Sequence, residues 1–326
     1  MTSPREATAF APATVGNVIC GFDVLGLALE RPGDRVTARA VDEPGARIVK
    51  IHGIVQNLPT DPARNSAGAA VAALLEKHAP AAGVELELEK GLPLSAGMGG
   101  SAASAVAATV AANSVLGTNA SPQELMEYAL QGEAVAAGQA HGDNVAPSLL
   151  GGLVLVRPSG RHRILPLPVP PELSVALLHP HLELATREAR AALGETVTLE
   201  ATVEQMGHLA AFVHALHEGD LDLLQDSLVD RIAEPHRGPA IPGLDAVRRA
   251  ALDAGALACG ISGAGPSLFA LCTDASTAEE VGMAMKTAFS TASPLAADLH
   301  LSPVSRAGAR LVPSETPTNA TSEAST

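Results

Sequence analysis

The stretch GLPLSAGMGGSAASAVAA, residues 91–108, constrains the fold of this chain more than any other segment. It carries no charge and is built mainly from glycine, alanine and serine. Glycine reaches positive φ freely and lets backbone N–H groups approach an anion, and the alanine run that follows is a strong helix former. A glycine turn feeding a helix N-terminus presents orphaned N–H donors and the positive end of the helix dipole, a combination suited to phosphate. The same composition also suits a tight turn before a close-packed core helix, and the stretch alone does not separate the two. Two other phosphate-loop patterns fit poorly. GxxxxGK[ST] fails because no lysine follows the glycines; the nearest, Lys90, precedes them. A dinucleotide pattern can be read at Gly97, Gly99 and Ala102. It needs a doubly buried strand before it, whereas VELELE at 84–89 alternates apolar and acidic residues and so has one wet face. A triphosphate here would be held by backbone donors and the hydroxyls of Ser95, Ser101 and Ser104, with a metal ion and a carboxylate from elsewhere.

A chain of 326 residues is long for one small domain, and two packed domains are expected. Its 47% hydrophobic and 17% charged residues describe a soluble globule with a large core. Aromatics make up only 2%, so the core is built from Ala, Val, Leu and Ile, and a base-stacking surface is not expected. The net charge of −14 repels nucleic acid and anionic membranes, so neither is expected as a partner. Cys20, Cys259 and Cys272 are far apart and odd in number, which fits reduced thiols in a cytoplasmic protein. The segment MTSPREATAF has no apolar core of a secretory signal, and no run approaches the roughly 18 apolar residues of a spanning helix.

Periodicity predicts strands at 10–15, 35–40, 47–51, 84–89, 152–156, 174–178, 256–261 and 267–272. It predicts helices at 65–78, 101–115, from 122 to about 140, and at 202–217, 221–230, 241–254 and 278–290. Ser121-Pro122-Gln123-Glu124 is a strong helix start, with serine as cap and proline in the first turn. The prolines at 166–171 mark the best boundary, dividing the chain into domains at 1–165 and 172–310, with a polar, disordered tail at 311–326. Helices interleaved with wet-faced strands indicate an α+β protein.

Three motifs in order give the glycine stretch its context. PLSAGMGGSAAS resembles the phosphate loop PxxxGLGSSAA of the GHMP kinase superfamily: Pro93, Gly97, Gly99, Ser101, Ala102 and Ala103 match, with Met98 for Leu and Gly100 for Ser. APATVGNVICGFDVLGLAL, residues 11–29, is similar to the N-terminal motif of homoserine kinases, departing at Val15-Gly16 and at Val18-Ile19-Cys20. GISGAGPSLFAL, residues 260–271, resembles the superfamily's C-terminal glycine motif. HGDNVAPSLLGG at 141–152 and DRIAEPHRGPAIPG at 230–243 resemble homoserine kinases in particular. The resemblance spans residues 11 to about 272. It implies a two-domain GHMP kinase fold, with a ribosomal-S5-like N-terminal domain and a ferredoxin-like C-terminal domain flanking the site. It implies transfer of the γ-phosphoryl of ATP to the hydroxyl of L-homoserine, with Mg²⁺, and a homodimer.

The resemblance also assigns residues. Pro93, Ser95, Gly97, Met98, Gly99, Gly100, Ser101 and Ala102 surround the phosphates, Asn65 contacts adenine, and Ser101 with Glu133 binds Mg²⁺. Homoserine is a zwitterion, so its pocket needs carboxylates at one end and guanidinium groups at the other. Asp23, Asp143 and Asn144 match the amino end and the hydroxyl, Arg190 and Arg237 the carboxylate, with His141 nearby, and Gly263 closes the site. Asn17 matches the residue at the reacting hydroxyl. Asn17, Ser101, Glu133 and Asp143 form the catalytic set; the family is often described as working by positioning without a dedicated base, and Asp143 as acceptor of the hydroxyl proton stays open beside its role in substrate binding. Outside that context Asp23 reads as a turn residue, Asn65 as a helix cap, and the arginines as surface ion-pair partners. A kinase for another small hydroxylated carboxylate, or a silent ligand sensor of the same fold, stays open on the residues alone.

Overall fold

The computed structural model describes residues 4–313 except 139, 141 and 160–162. Among the described residues the strands form two sheets. The first contains β1 (Glu6–Gly16), β2 (Leu25–Val41), β3 (Gly45–Gly53), β4 (Gly83–Lys90), β5 (Leu153–Val156), β6 (Ile164–Leu167) and β11 (Arg310–Val312). Its order is β11-β1-β2-β4-β3, with β5 beside β2 and β6 beside β5. Only β3 and β4 pair in parallel; the others are antiparallel. The alternation of VELELE is realised in β4, where Val84, Leu86 and Leu88 are buried and the glutamates lie at the wetter face.

Four helices pack with this sheet: α1 (Ser66–His78), α2 (Gly100–Leu116), α3 (Pro122–Ala137) and α4 (Gly142–Leu150). Helix α2 is enclosed by α1, α3, β1 and β2, which accounts for its composition. A helix apolar on every side belongs in a core, and alanine lets its neighbours approach closely. Helix α3 starts at the serine cap expected from sequence: Ser121 accepts from Glu124 N–H while the Glu124 carboxylate accepts from Ser121 N–H.

The second sheet is antiparallel, in the order β10-β7-β9-β8, from β7 (Ser174–Pro180), β8 (Ala258–Ile261), β9 (Leu268–Cys272) and β10 (Ala297–Pro303). Its two faces enter different cores. Ala176 and Leu178 pack with α9 (Leu244–Asp253) and α10 (Ala275–Ala292), whereas Val175 and Leu177 join the core of the first sheet. Phe212 of α6 (Leu199–Glu218) and Leu224 of α7 (Leu221–Ser227) belong to that same large core. Two short helices, α5 (Thr186–Ala191) and α8 (Glu234–Arg237), complete the second half.

The chain leaves the first sheet after β6 and enters the second at β7, so the proline-rich segment lies at the crossing. The polar tail expected from 311 needs correction at its start. Leu311 and Val312 pair with Ala9 and Thr8 as an edge strand, and the Arg310 guanidinium stacks 4.7 Å from the Phe10 ring centroid. An edge strand is held by backbone pairing, which polar composition does not reveal; residues 314–326 lie outside the described residues. Helix α4 carries Pro147 in its interior, and β6 lies in the proline-rich run, so neither has a residue pattern that announces it.

Candidate active site

The loop between β4 and α2 is gripped by both halves of the molecule. Thr14 N–H donates to the Met98 carbonyl at 3.1 Å, the Ser262 hydroxyl to Gly97 at 2.6 Å, and Ser267 N–H to Ala96 at 3.3 Å. Gly97 and Gly99 are left-handed, with φ of 72° and 68°. A methyl at Gly97 would lie 2.3 Å from the Ser262 carbonyl oxygen, and one at Gly99 2.1 Å from the Thr14 hydroxyl. Glycine is therefore required at both positions by handedness and by contact. Gly99 is the N-cap of α2 and supplies no side-chain cap, so the opening N–H groups of that helix have no side-chain acceptor.

Beneath the loop lies a lysine on a strand. Lys90 is buried, and its ammonium donates to Asp34, to the Ser104 hydroxyl at 2.7 Å and to the Gly100 carbonyl at 3.1 Å. Asp34 also accepts from the Ser104 hydroxyl and from the N–H groups of Gly91 and Leu92. All three ammonium protons are thus engaged, and Lys90 braces the loop instead of reaching for a phosphate. Ser104 is committed to the same brace.

Loop, helix terminus and second sheet enclose a cavity of about 590 Å³. Glu133 of α3 faces it, buried, and its Oε2 has no hydrogen-bond partner. Burial pushes the Glu133 carboxyl up to about 7; nearby Asp143 adds to the rise, while a hydrogen bond from Ser101 and the charge of Lys90 oppose it. Among the described residues no group of three or more His, Cys, Asp or Glu side chains is arranged to hold a metal ion. A cation here would have the oxygens of Glu133 and Ser101 from the protein, donors of the kind a hard divalent cation takes.

Asp143, Asn144, Asn17, Asp23, Arg237 and Gly263 line the same cavity. Asp143 is buried and pushed up to about 7, first by desolvation and then by Asp23; hydrogen bonds from Asn17 N–H and the Asn144 amide oppose the shift. The Thr14 hydroxyl donates to Asn144 Oδ1 at 2.8 Å, fixing that amide. Asn17, itself left-handed, donates from Nδ2 to the Gly263 carbonyl at 3.0 Å and accepts from Asp23 N–H at 3.0 Å. Arg190 pairs with Asp23 at 2.5 Å, and Arg237 donates to the Gly263 carbonyl at 2.9 Å. Two further donors of these guanidinium groups, Arg190 Nη1 and Arg237 Nε, are buried without a partner. Burial, above all, draws Arg237 below its ordinary basicity, and the neighbouring charge of Arg190 adds to the fall.

The residues singled out from sequence fare differently. Pro93, Ser95, Gly97, Gly99, Gly100, Ser101 and Glu133 line the cavity with Asn17, Asp23, Asp143, Asn144, Arg237 and Gly263. Arg190 joins them through its ion pair with Asp23. Met98 and Ala102 turn their side chains into the core, at 1% and 0% exposure, so only their backbones are available to a ligand. Asn65 lines the cavity, yet its Oδ1 caps α1 and its Nδ2 donates to the Pro59 carbonyl at 2.9 Å, so its main tie is to the wall itself. His141 lies outside the described residues. Sequence reasoning missed Lys90, Arg64, Thr186 and Arg187, all of which line the cavity. For Lys90 a signal existed: it continues the buried phase Val84, Leu86, Leu88 of β4.

The model of the GHMP kinases N terminal domain matches residues 65–152, and that of the GHMP kinases C terminal domain residues 212–291. The homoserine kinase of Chloroherpeton thalassium is 44% identical over 318 residues, covering 94% of this chain and all of that protein. That of Xylella fastidiosa is 45% identical over 308 residues, covering 94% of each. The crystal structure of homoserine kinase from Cytophaga hutchinsonii superposes with a TM-score of 0.90 at 42% identity, over 96% of this chain and 99% of that one. The mevalonate kinase of L. major shares the fold, with a TM-score of 0.70 at 16% identity.

Proposed function

The chain belongs to the homoserine kinases of the GHMP kinase superfamily, and on that premise we propose how its residues divide the work of phosphoryl transfer. The reaction moves the γ-phosphoryl group of ATP onto the side-chain hydroxyl of L-homoserine, giving O-phospho-L-homoserine for threonine synthesis. The observation that carries the assignment is that unmet partners stand along one cleft. An uncapped helix terminus, the orphaned Glu133 Oε2 and the orphaned Arg237 Nε belong to its lining, and Arg190, with an orphaned Nη1, adjoins it through its ion pair with Asp23.

The opening N–H groups of α2 and the backbone of Gly97, Gly99 and Gly100 receive the phosphates. Ser101 and Glu133 hold Mg²⁺, which when bound offsets charge on the transferring group. Arg190 and Arg237 bind the homoserine carboxylate in a planar, bidentate manner. Asp143, with Asn144 and Asp23, receives the ammonium; the arriving cation draws the Asp143 proton off and the carboxylate becomes a counter-ion. Asn17 fixes the turn that presents Asp23 and links it to Gly263, and the substrate hydroxyl is aligned next to this turn. Rate enhancement then comes from orientation and charge compensation, which carry most of the catalysis of phosphoryl transfer. Asn65 acts mainly by holding Pro59 in the nucleotide wall.

A coupled ADP-release assay tests this reading. Homoserine-dependent release is expected, and Glu133→Ala is expected to abolish Mg²⁺-dependent turnover while leaving the fold intact. ATP binding without homoserine-dependent turnover, or full activity of Glu133→Ala, refutes it. We also propose a cytoplasmic homodimer. Three buried free cysteines support the compartment, and the exposed Leu199, Val203 and Met206 on one face of α6 support self-association. Sedimentation of Met206→Glu against the parent protein tests the dimer. Among the described residues no helix is long and apolar enough to cross a membrane.

A further inference from the structure

Both arginines assigned to the substrate carboxylate lie over the ring of Phe22. The Arg190 guanidinium carbon lies 5.1 Å from its ring centroid and that of Arg237 5.5 Å. The chain has five phenylalanines. Phe212, Phe269 and Phe289 are fully buried in the core, and Phe10 stacks under Arg310. Phe22 is half-buried, in the turn between Gly21 and left-handed Asp23. A protein that fills its core with leucine and alanine has placed a ring here, facing charge.

The two guanidinium groups need such a partner. They come from the short helices α5 and α8, their charges repel, and each leaves a buried donor unpaired. Asp23 ties Arg190 and the Gly263 carbonyl ties Arg237, but each tie uses one nitrogen and leaves the plane of the group free to rotate. An aromatic face attracts a guanidinium and also sets its plane by stacking. A bidentate grip on a carboxylate requires that plane to be set before the ligand arrives.

We propose that Phe22 is a positioning residue for the carboxylate of the substrate, its ring fixing Arg190 and Arg237 as a preorganised pair. The inference rests on the reading of those arginines as the carboxylate grip. It makes Phe22 a determinant of selectivity for a carboxylate-bearing amino alcohol over its neutral analogue.

The test compares homoserine with homoserinamide, the latter followed as a substrate or as a competitor of homoserine. Phe22→Leu and Phe22→Met are expected to raise KM for homoserine about tenfold, in the range of two partly desolvated cation–π contacts. The affinity for homoserinamide, KM for ATP and kcat are expected to stay within about threefold. Phe22→Tyr and Phe22→Trp, which keep a ring face, are expected to stay near the parent enzyme. The proposal is overturned if leucine costs nothing, if it weakens homoserine and homoserinamide alike, or if tyrosine is as poor as leucine. Arg237→Met separates this outcome from a failure of the underlying reading. If that variant keeps the parent's preference for homoserine over the amide, the arginine grip itself is wrong, whatever Phe22 does.

Discussion

Replacing Lys90 by methionine keeps an unbranched side chain one atom shorter and removes the charge, and the outcome can be worked from the contacts. Three hydrogen bonds disappear, to Asp34, Ser104 and Gly100. Asp34, fully buried, keeps the Ser104 hydroxyl and the N–H groups of Gly91 and Leu92. Stripping one partner from a buried ion pair costs about 3–5 kcal/mol. Three surviving donors on the stranded carboxylate favour the lower end, about 3 kcal/mol. Total stabilities are about 5–15 kcal/mol, so the variant folds, with its urea midpoint about 1 M lower for a slope of about 3 kcal/mol per M. Adding Asp34→Asn withdraws the stranded charge and is expected to return about 1 kcal/mol or more, a non-additivity that a double-mutant cycle reads directly. In steady-state assays Lys90→Met is expected to raise KM for ATP, because the Gly100 carbonyl and the loop lose their brace, while KM for homoserine at saturating ATP holds. A stability loss under about 1 kcal/mol, or a double variant less stable than Lys90→Met alone, refutes the brace.

Gly97→Ala places a methyl 2.3 Å from the Ser262 carbonyl at a φ of 72°. The left-handed strain alone is about 1–2 kcal/mol and the contact forces the loop to move. A fall of about 100-fold in kcat/KM for ATP is expected with unchanged circular dichroism, and a change under about threefold refutes the tight approach. Asp143 is raised in the folded state from 3.8 to about 7, so the folded protein holds this proton longer than the unfolded chain does. Its ionisation therefore withdraws stability as pH rises from about 4 to about 7, and the loss is complete above that window. Nucleotide-free Asp143→Asn should accordingly gain on the parent protein in urea melts across this range; a constant difference between the two removes the argument.

Much of this site is legible in the residues. Glycines at 97 and 99, followed by an alanine-rich run, specify a left-handed turn into a buried helix, because φ preference and close packing are properties of neighbours along the chain. Alternation in β4 sets its wet face and, one step further, puts Lys90 inside. Ser121 and Glu124 form the cap that their spacing announces. The edge strand β11 and helix α4 had no such local signature, since one is held by pairing with β1 and the other contains a proline.

What tertiary structure alone decided is which groups meet and how dry they are. Asn17 and Gly263, 246 residues apart, are joined by one hydrogen bond that binds the N-terminal turn to the second sheet. Phe22, Arg190 and Arg237 come from three separate segments to share one ring. Asp143 and Glu133 are ordinary carboxylates in the sequence, and burial, with a neighbouring carboxylate adding to it, raises both to about 7. Dihedral preference and periodicity act over a few residues and are written there; desolvation and convergence depend on the packing of distant segments, which carry no mark of each other until the chain has folded.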